Sequence, residues 1–346
     1  MNGSMLAAKL HAWDDVRIES LEIPRIGHGE VLVRVEACGV CGSDALVWYV
    51  ERKAPAVLGH EPAGTVEAVG PGVHHLKPGD RVFVHHHAPC MQCENCRRRL
   101  WSNCQAWRGN ALDPGGFAQY VRVSAASVST DTLVLPDNVS FDAGTFIEPL
   151  ACCVRAIKGK GAVQPGDSVL IVGLGAMGLL MTRLARLTEA RHVFGSDFVP
   201  HRRDHALAFG ADAVFDPADG DVADAVRKHN QGRGADVVVV CPGDPRAIAA
   251  AADAAAPGGR VVCFTPLAPG QPVNLDFSSL YFREVSILQS YSCGPDETRQ
   301  ALRLLADGAI DTIPLITHRD GLTGVAAALR RAKTTDGIKT VIYPWR

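Results

Sequence analysis

Ser168-Val169-Leu170-Ile171-Val172-Gly173-Leu174-Gly175-Ala176-Met177-Gly178 is the stretch on which the reading of this chain turns. Ser168–Val172 is an apolar run of strand length, and Ala176–Thr188 after it reads as a helix. The glycines between them have the spacing of a dinucleotide-binding turn. Gly173 permits the tight turn, Gly175 lets backbone amides approach a pyrophosphate, and Gly178 allows close helix–strand packing. Ala176 and Met177 open the helix, whose unpaired N–H groups and partial positive charge suit phosphates. Asp197 lies nineteen residues beyond Gly178, after a second strand at His192–Ser196, where a carboxylate can bind both ribose hydroxyls. Its charge would repel a 2′-phosphate, so NAD is expected over NADP, although Arg202 or Arg203 could accept such a phosphate. A turn that only packs a helix, with Asp197 as a loop cap, is the structural alternative.

Outward from this turn the texture repeats. Ala213–Phe215, Asp236–Val240 and Arg260–Phe264 read as further strands, with helices at about Asp221–His229 and Pro245–Ala256. Such an alternation predicts a doubly wound parallel α/β sheet. The first 150 residues differ. Short strands such as Val31–Val35, Ala63–Val69 and Arg81–His85 are punctuated by Pro71-Gly72 and Pro78-Gly79-Asp80, which suits a compact β-rich domain. A helix at about Asp296–Asp307 and a final helix–strand pair ending at Pro344 close the chain. The expected division is therefore 1–150, 151–290 and 291–346.

Composition narrows the partners. Of 346 residues, 47% are hydrophobic and 21% charged, and the formal net charge is only −2, which argues against nucleic acid or an anionic membrane as main partner. Asp14, Asp15, Arg17, Glu19 and Arg25 interrupt any apolar signal core, and no run is long and uncharged enough to span a bilayer. Eleven cysteines without an export signal suggest a reducing compartment, the cytoplasm by default.

Cys90, Cys93, Cys96 and Cys104 put four thiols within fifteen residues, in a loop of about 88–106. Four thiolates so spaced satisfy tetrahedral zinc and leave no open position, which makes the site structural. An iron–sulfur cluster or two disulfides are the alternatives. Other ligand types are dispersed: Cys41 in Gly39-Val40-Cys41-Gly42-Ser43-Asp44, then His60-Glu61 after Gly59, then Glu148 before Pro149. Taken singly, these read as a buried thiol, a core histidine and a helix cap. Spacing does not connect them.

A resemblance does. Gly39–Asp44, Gly59-His60-Glu61, Pro78-Gly79-Asp80-Arg81-Val82, the cysteine quartet, Gly115-Gly116-Phe117-Ala118-Gln119-Tyr120, Glu148-Pro149-Leu150 and Gly173–Gly178 run in order across nearly the whole chain. Together they resemble the zinc-dependent medium-chain dehydrogenases, nearest in pattern to the sorbitol (polyol) and threonine dehydrogenase branch. The resemblance implies a GroES-like β-rich catalytic domain, completed by the C-terminal segment, and a central Rossmann nucleotide-binding domain. It implies two zinc ions per chain and a homodimer or homotetramer. Cys41 and His60 would ligate a catalytic zinc, with Glu61 a third ligand alternating with water. Glu148 would bind the same zinc or hold its water. Ser43 matches the family's proton-relay hydroxyl, and a turn-capping serine is the plainer reading. An open zinc position suits an alcohol that gives hydride to a nicotinamide.

The pattern thins in two places. Ala45-Leu46-Val47 lacks the histidine that continues the relay in many relatives. His85-His86-His87 is a tempting replacement or further metal site, but alternation along a strand would split these side chains between faces, which favours a structural or supporting role. Arg283-Glu284-Val285 is followed by Tyr291-Ser292-Cys293 without the arginine of the polyol branch, so sorbitol itself is disfavoured. Trp48 and Tyr49 suit either a pocket wall or the core. The expected activity is NAD-linked oxidation of a polar secondary alcohol to the ketone. The alternatives are L-threonine 3-dehydrogenation and a non-catalytic zinc- and NAD-binding protein.

Overall fold

The computed structural model describes residues 3–346. Packing separates two compact units, one running through Ala151 and resuming at Cys293–Arg346, the other Cys152–Ser292. In the second unit six parallel strands lie in the order Ala213–Phe215, His192–Ser196, Ser168–Val172, Ala235–Val240, Ala255–Cys263 and Ser286–Gln289. Numbered along the chain this is 3-2-1-4-5-6, the nucleotide-binding doubly wound order. Val169–Ile171 and Val237–Val240 are fully buried, because helices cover both faces of a parallel sheet. The covering helices include Ala176–Leu187, Pro200–Ala208, Val222–His229 and Pro245–Ala254. Asp221 and Asp244 cap the last two by accepting from backbone amides of their first turns.

The edge strand Ser286–Gln289 has no counterpart in the sequence reading. Its residues are half-buried or exposed, so no apolar run marks it.

The first unit carries a seven-stranded sheet whose main path is Ile316–Asp320, Lys339–Ile342, Val31–Gly39, Glu61–Val69, Arg81–Val84 and Thr132–Val134. Tyr120–Val123 pairs with Val31–Gly39 off this path. A smaller sheet orders Asp15–Glu22, Ser4–Ala12 and Ala56–Val57. Val31, Val33, Val35, Val66, Val82, Val84 and Phe117 form much of the buried core. Two consequences matter for chemistry. The C-terminal strand pairs Val341 with Gly39 and Ile342 with Cys38, so residues from the far end of the chain reach the Cys41 loop. The strand expected to run to His85 ends at Val84, so strand alternation does not govern His85–His87. Among the described residues, no helix is long and apolar enough to cross a membrane.

Candidate active site

Cys41 leaves the strand Val31–Gly39 in extended conformation and caps the short turn Gly42–Ala45. The Ser43 amide donates to its sulfur at 3.5 Å, and its own amide donates to Asp44 Oδ2 at 3.2 Å. The other oxygen of buried Asp44 lies 3.3 Å from His60 Nδ1. Glu61 starts the next strand, directly opposite Gly39. A Cβ at position 39 would lie 2.0 Å from Glu61 Oε2, so only glycine leaves room for that carboxylate. The ligand atoms of Cys41, His60 and Glu61 all lie within 4.8 Å of one another.

Electrostatics hold the cluster polarised. Burial works against charge on His60, but Asp44 and Cys41 outweigh it and keep its pKa well above the ordinary value. Burial likewise opposes the Lys339 ammonium, and the Glu61 carboxylate overrides it and raises the lysine pKa. Lys339 Nζ donates to Glu61 Oε2 at 2.5 Å, with 4% and 0% of the two side chains exposed. Glu61 Oε1 is buried and has no hydrogen-bond partner among the described residues. An orphaned carboxylate oxygen beside a thiol, and beside an imidazole oriented by a carboxylate, is the donor set of a divalent metal. The residues fit zinc.

Ser43 stands half-buried on the Cys41 turn. The Glu148 carboxylate groups with His85 and Cys293, and its charge also acts on Glu61 and Lys339 of the Cys41 cluster. His86 brings its ring to 5.0 Å from that of His60, and its Nδ1 is buried without a hydrogen-bond partner among the described residues. His87 instead stacks on Trp107 at 3.7 Å. Tyr49 packs against the core of this unit.

The cysteine quartet is assembled. Cys93 and Cys96 sulfurs are 3.5 Å apart, Cys90 and Cys96 3.9 Å, and all four lie within 4.8 Å of one another. Thiolates at about 2.3 Å from tetrahedral zinc stand roughly 3.8 Å apart, whereas a disulfide bond is about 2.05 Å. The cysteines are free thiols. Amides of Gln92 and Cys93 donate to Cys90 and lower its pKa to about 6. Trp101 and Trp107 pack with Cys96 and Cys104 as a small core of the loop's own.

In the second unit the glycine turn has the expected construction. Gly173 has φ +87°, and a Cβ there would also meet Pro242 at 2.8 Å. A Cβ at 178 would lie 2.0 Å from the Gly173 carbonyl oxygen, while one at 175 would meet open space. Asp197, 8% exposed, accepts from the Leu174 amide at 2.7 Å and from the Val199 amide at 2.8 Å. The carboxylate therefore braces the turn itself. Arg203 donates to the Asp197 carbonyl and to Asp216, each at 2.7 Å. Arg202 has a guanidinium nitrogen 3.9 Å from Asp197 Oδ2.

Sequence reasoning missed Lys339, Asp131 and the involvement of Cys293. Lys339 lies 278 residues from its partner Glu61, and no local pattern signals it. Asp44 stood inside the quoted Cys41 motif, unassigned.

Two family models match: the alcohol dehydrogenase GroES-like domain over residues 27–135 and the zinc-binding dehydrogenase over residues 176–307. Sorbitol dehydrogenase of Bacillus subtilis is 30% identical over 355 residues, covering 99% of this chain and 98% of its own. L-threonine 3-dehydrogenase of Pyrococcus abyssi is 35% identical over 308 residues, 86% of each chain. A zinc-binding dehydrogenase from Sinorhizobium meliloti, solved bound to NADP, superposes with a TM-score of 0.89 at 31% identity, covering 99% of this chain and 100% of that one. With a GroES-like unit, a Rossmann unit and relatives aligned along nearly its full length, the chain belongs to the zinc-dependent alcohol dehydrogenases of the medium-chain family.

Proposed function

We propose that this enzyme oxidises a polar secondary alcohol to the ketone with NAD, the substrate being a polyol, cyclitol or amino-polyol. Cys41, His60 and Glu61 would hold the catalytic zinc, and Cys90, Cys93, Cys96 and Cys104 the structural one. The observation that carries the reading is the convergence of Cys41, His60 and the unpartnered Glu61 Oε1, backed by Asp44 and Lys339. Zinc, when bound, supplies Lewis-acid polarisation of the alcohol oxygen, and the nicotinamide accepts the hydride.

The chain's own groups orient that chemistry. Asp44 aligns the His60 ring, so that its other nitrogen is the one turned to metal. Lys339 offsets the Glu61 charge and keeps one carboxylate oxygen occupied, leaving the other for the ion. Ser43 is the hydroxyl that would take the alcohol proton, with His86 supplying the imidazole that Ala45-Leu46-Val47 lacks. Glu148 would anchor water or substrate at the open position, through the charge that already acts on Glu61. Asp197 would bind the ribose hydroxyls while bracing the Gly173 turn, which favours NAD. The family habit of closed oligomers supports a homodimer or homotetramer, and the composition supports a cytoplasmic setting.

The relative at 35% identity supports L-threonine oxidation as a second reading. The test is a panel of polyols, cyclitols, amino-polyols and L-threonine with NAD and with NADP, following reduced-cofactor absorbance. Turnover of a polyol-type alcohol with NAD is expected. Threonine as the sole substrate would replace the first reading by the second, and turnover with NADP alone would overturn the role given to Asp197. A zinc count of one per chain with no turnover would favour a non-catalytic binding protein.

A further inference from the structure

A second set of donors lies buried in the first unit, outside the Cys41 cluster. His85, Glu148 and Cys293 are 0%, 5% and 1% exposed, and one ligand atom from each lies within 4.8 Å of the others. His85 Nε2 and Cys293 Sγ are 3.7 Å apart. A nitrogen at about 2.05 Å and a sulfur at about 2.3 Å from one tetrahedral zinc stand roughly 3.6 Å apart, so the separation is that of two ligands of a single ion. It also matches the 3.5 and 3.9 Å between sulfurs of the quartet.

The imidazole is aimed by an arrangement typical of metal centres. His85 Nδ1 donates to Asp131 Oδ2 at 2.7 Å, and Thr298 donates to the other Asp131 oxygen at 2.5 Å. Asp131 and Thr298 are both fully buried. With Nδ1 turned to Asp131, Nε2 is the ring nitrogen left facing the thiol. A carboxylate behind a histidine is the usual support of a ligating imidazole. Nitrogen, sulfur and oxygen donors together select zinc over calcium or magnesium.

We propose that His85, Glu148 and Cys293 form an additional zinc site, supported by Asp131 and Thr298, with one coordination position left open. Only Glu148 is claimed both by this site and by the catalytic zinc, so the two readings separate on where ions sit.

The test is a zinc count on the purified chain by elemental mass spectrometry, with an anomalous difference map at the zinc edge from its crystals. Three zincs are expected, one of them between His85, Glu148 and Cys293, and Cys293→Ala should lose one equivalent while the quartet and Cys41 ions remain. A map with zinc at Cys41, His60 and Glu61 but none beside Cys293 would overturn this inference and leave the proposed function standing. The converse map would overturn the catalytic zinc alone. If Cys293→Ala does not fold, the wild-type map decides by itself.

Discussion

The cysteine quartet and the Cys41 cluster are two candidate metal-ligand sets of the same unit, built by opposite means. Four thiols of the quartet come from fifteen consecutive residues, with Trp101 and Trp107 as their own packing. The loop carries both its ligands and its core, so its geometry is set within a short stretch. Cys41 follows one strand and Glu61 opens its neighbour, and the partner that holds the Glu61 carboxylate, Lys339, arrives from the other end of the chain. The difference is between a site that can form locally and one that exists only once the sheet is complete. Saturating local ligands suit structural metal, and an open, sheet-held set suits chemistry.

Mutation should separate the two most sharply at the cysteines. Cys41→Ser is expected to abolish turnover while far-ultraviolet circular dichroism and the quartet zinc stay unchanged. Cys96→Ser should do the reverse in character, lowering the thermal midpoint and releasing zinc before any effect on the Cys41 cluster. If Cys41→Ser retains turnover, the catalytic assignment fails. If both variants behave alike, the contrast between local and sheet-built sites is wrong.

Lys339→Met comes next in size. Removing one partner of a buried ion pair strands the other charge, at a cost of about 3–5 kcal/mol in unfolding free energy. The loss should be greatest in the zinc-stripped chain, because a bound ion would itself offset the Glu61 carboxylate. Equal losses with and without zinc in urea titrations would mean that Glu61 does not serve the metal.

Asp44→Asn probes the carboxylate support behind His60. Loss of the carboxylate behind His60 should weaken zinc retention at the Cys41 cluster by roughly 10–100-fold in a chelator competition, and leave the quartet untouched.

The smallest effect concerns reactivity in the metal-free loop. With its pKa lowered to about 6 by backbone donors, Cys90 carries a thiolate at neutral pH that an ordinary thiol lacks. Alkylation mapped by peptide mass should be fastest at Cys90, and its rate should fall as pH drops through about 6. Uniform alkylation of the four thiols would remove that distinction.

Most of the second unit was legible in the chain. Ser168–Val172, His192–Ser196 and Ala213–Phe215 appear with the boundaries read for them, and the central Ser168–Val172, covered on both faces, carries the clearest uninterrupted apolar signal. Ser286–Gln289 was invisible because exposed Ser286 and Gln289 bound only two half-buried apolar residues, too short a run to mark a strand. The strand alternation expected to govern the histidine run does not reach it. Alternation applies to strands, and the strand stops at Val84, which frees His85, His86 and His87 to meet three different neighbours.

What the sequence determined by itself was therefore whatever short-range physics encodes: the glycine turn, the parallel α/β order and the four-thiol loop. Backbone conformation, apolar periodicity and ligand spacing all act within some twenty residues, and they read directly. Tertiary structure alone decided that Lys339 pairs with Glu61, that Asp44 backs His60, and that Glu148 groups with His85 and Cys293. Those contacts join residues as far apart in the chain as Glu61 and Lys339, whose strands flank Val31–Gly39 in the sheet. Their cause is the fold that brings separate strands, turns and helices together, and no local pattern of residues records it.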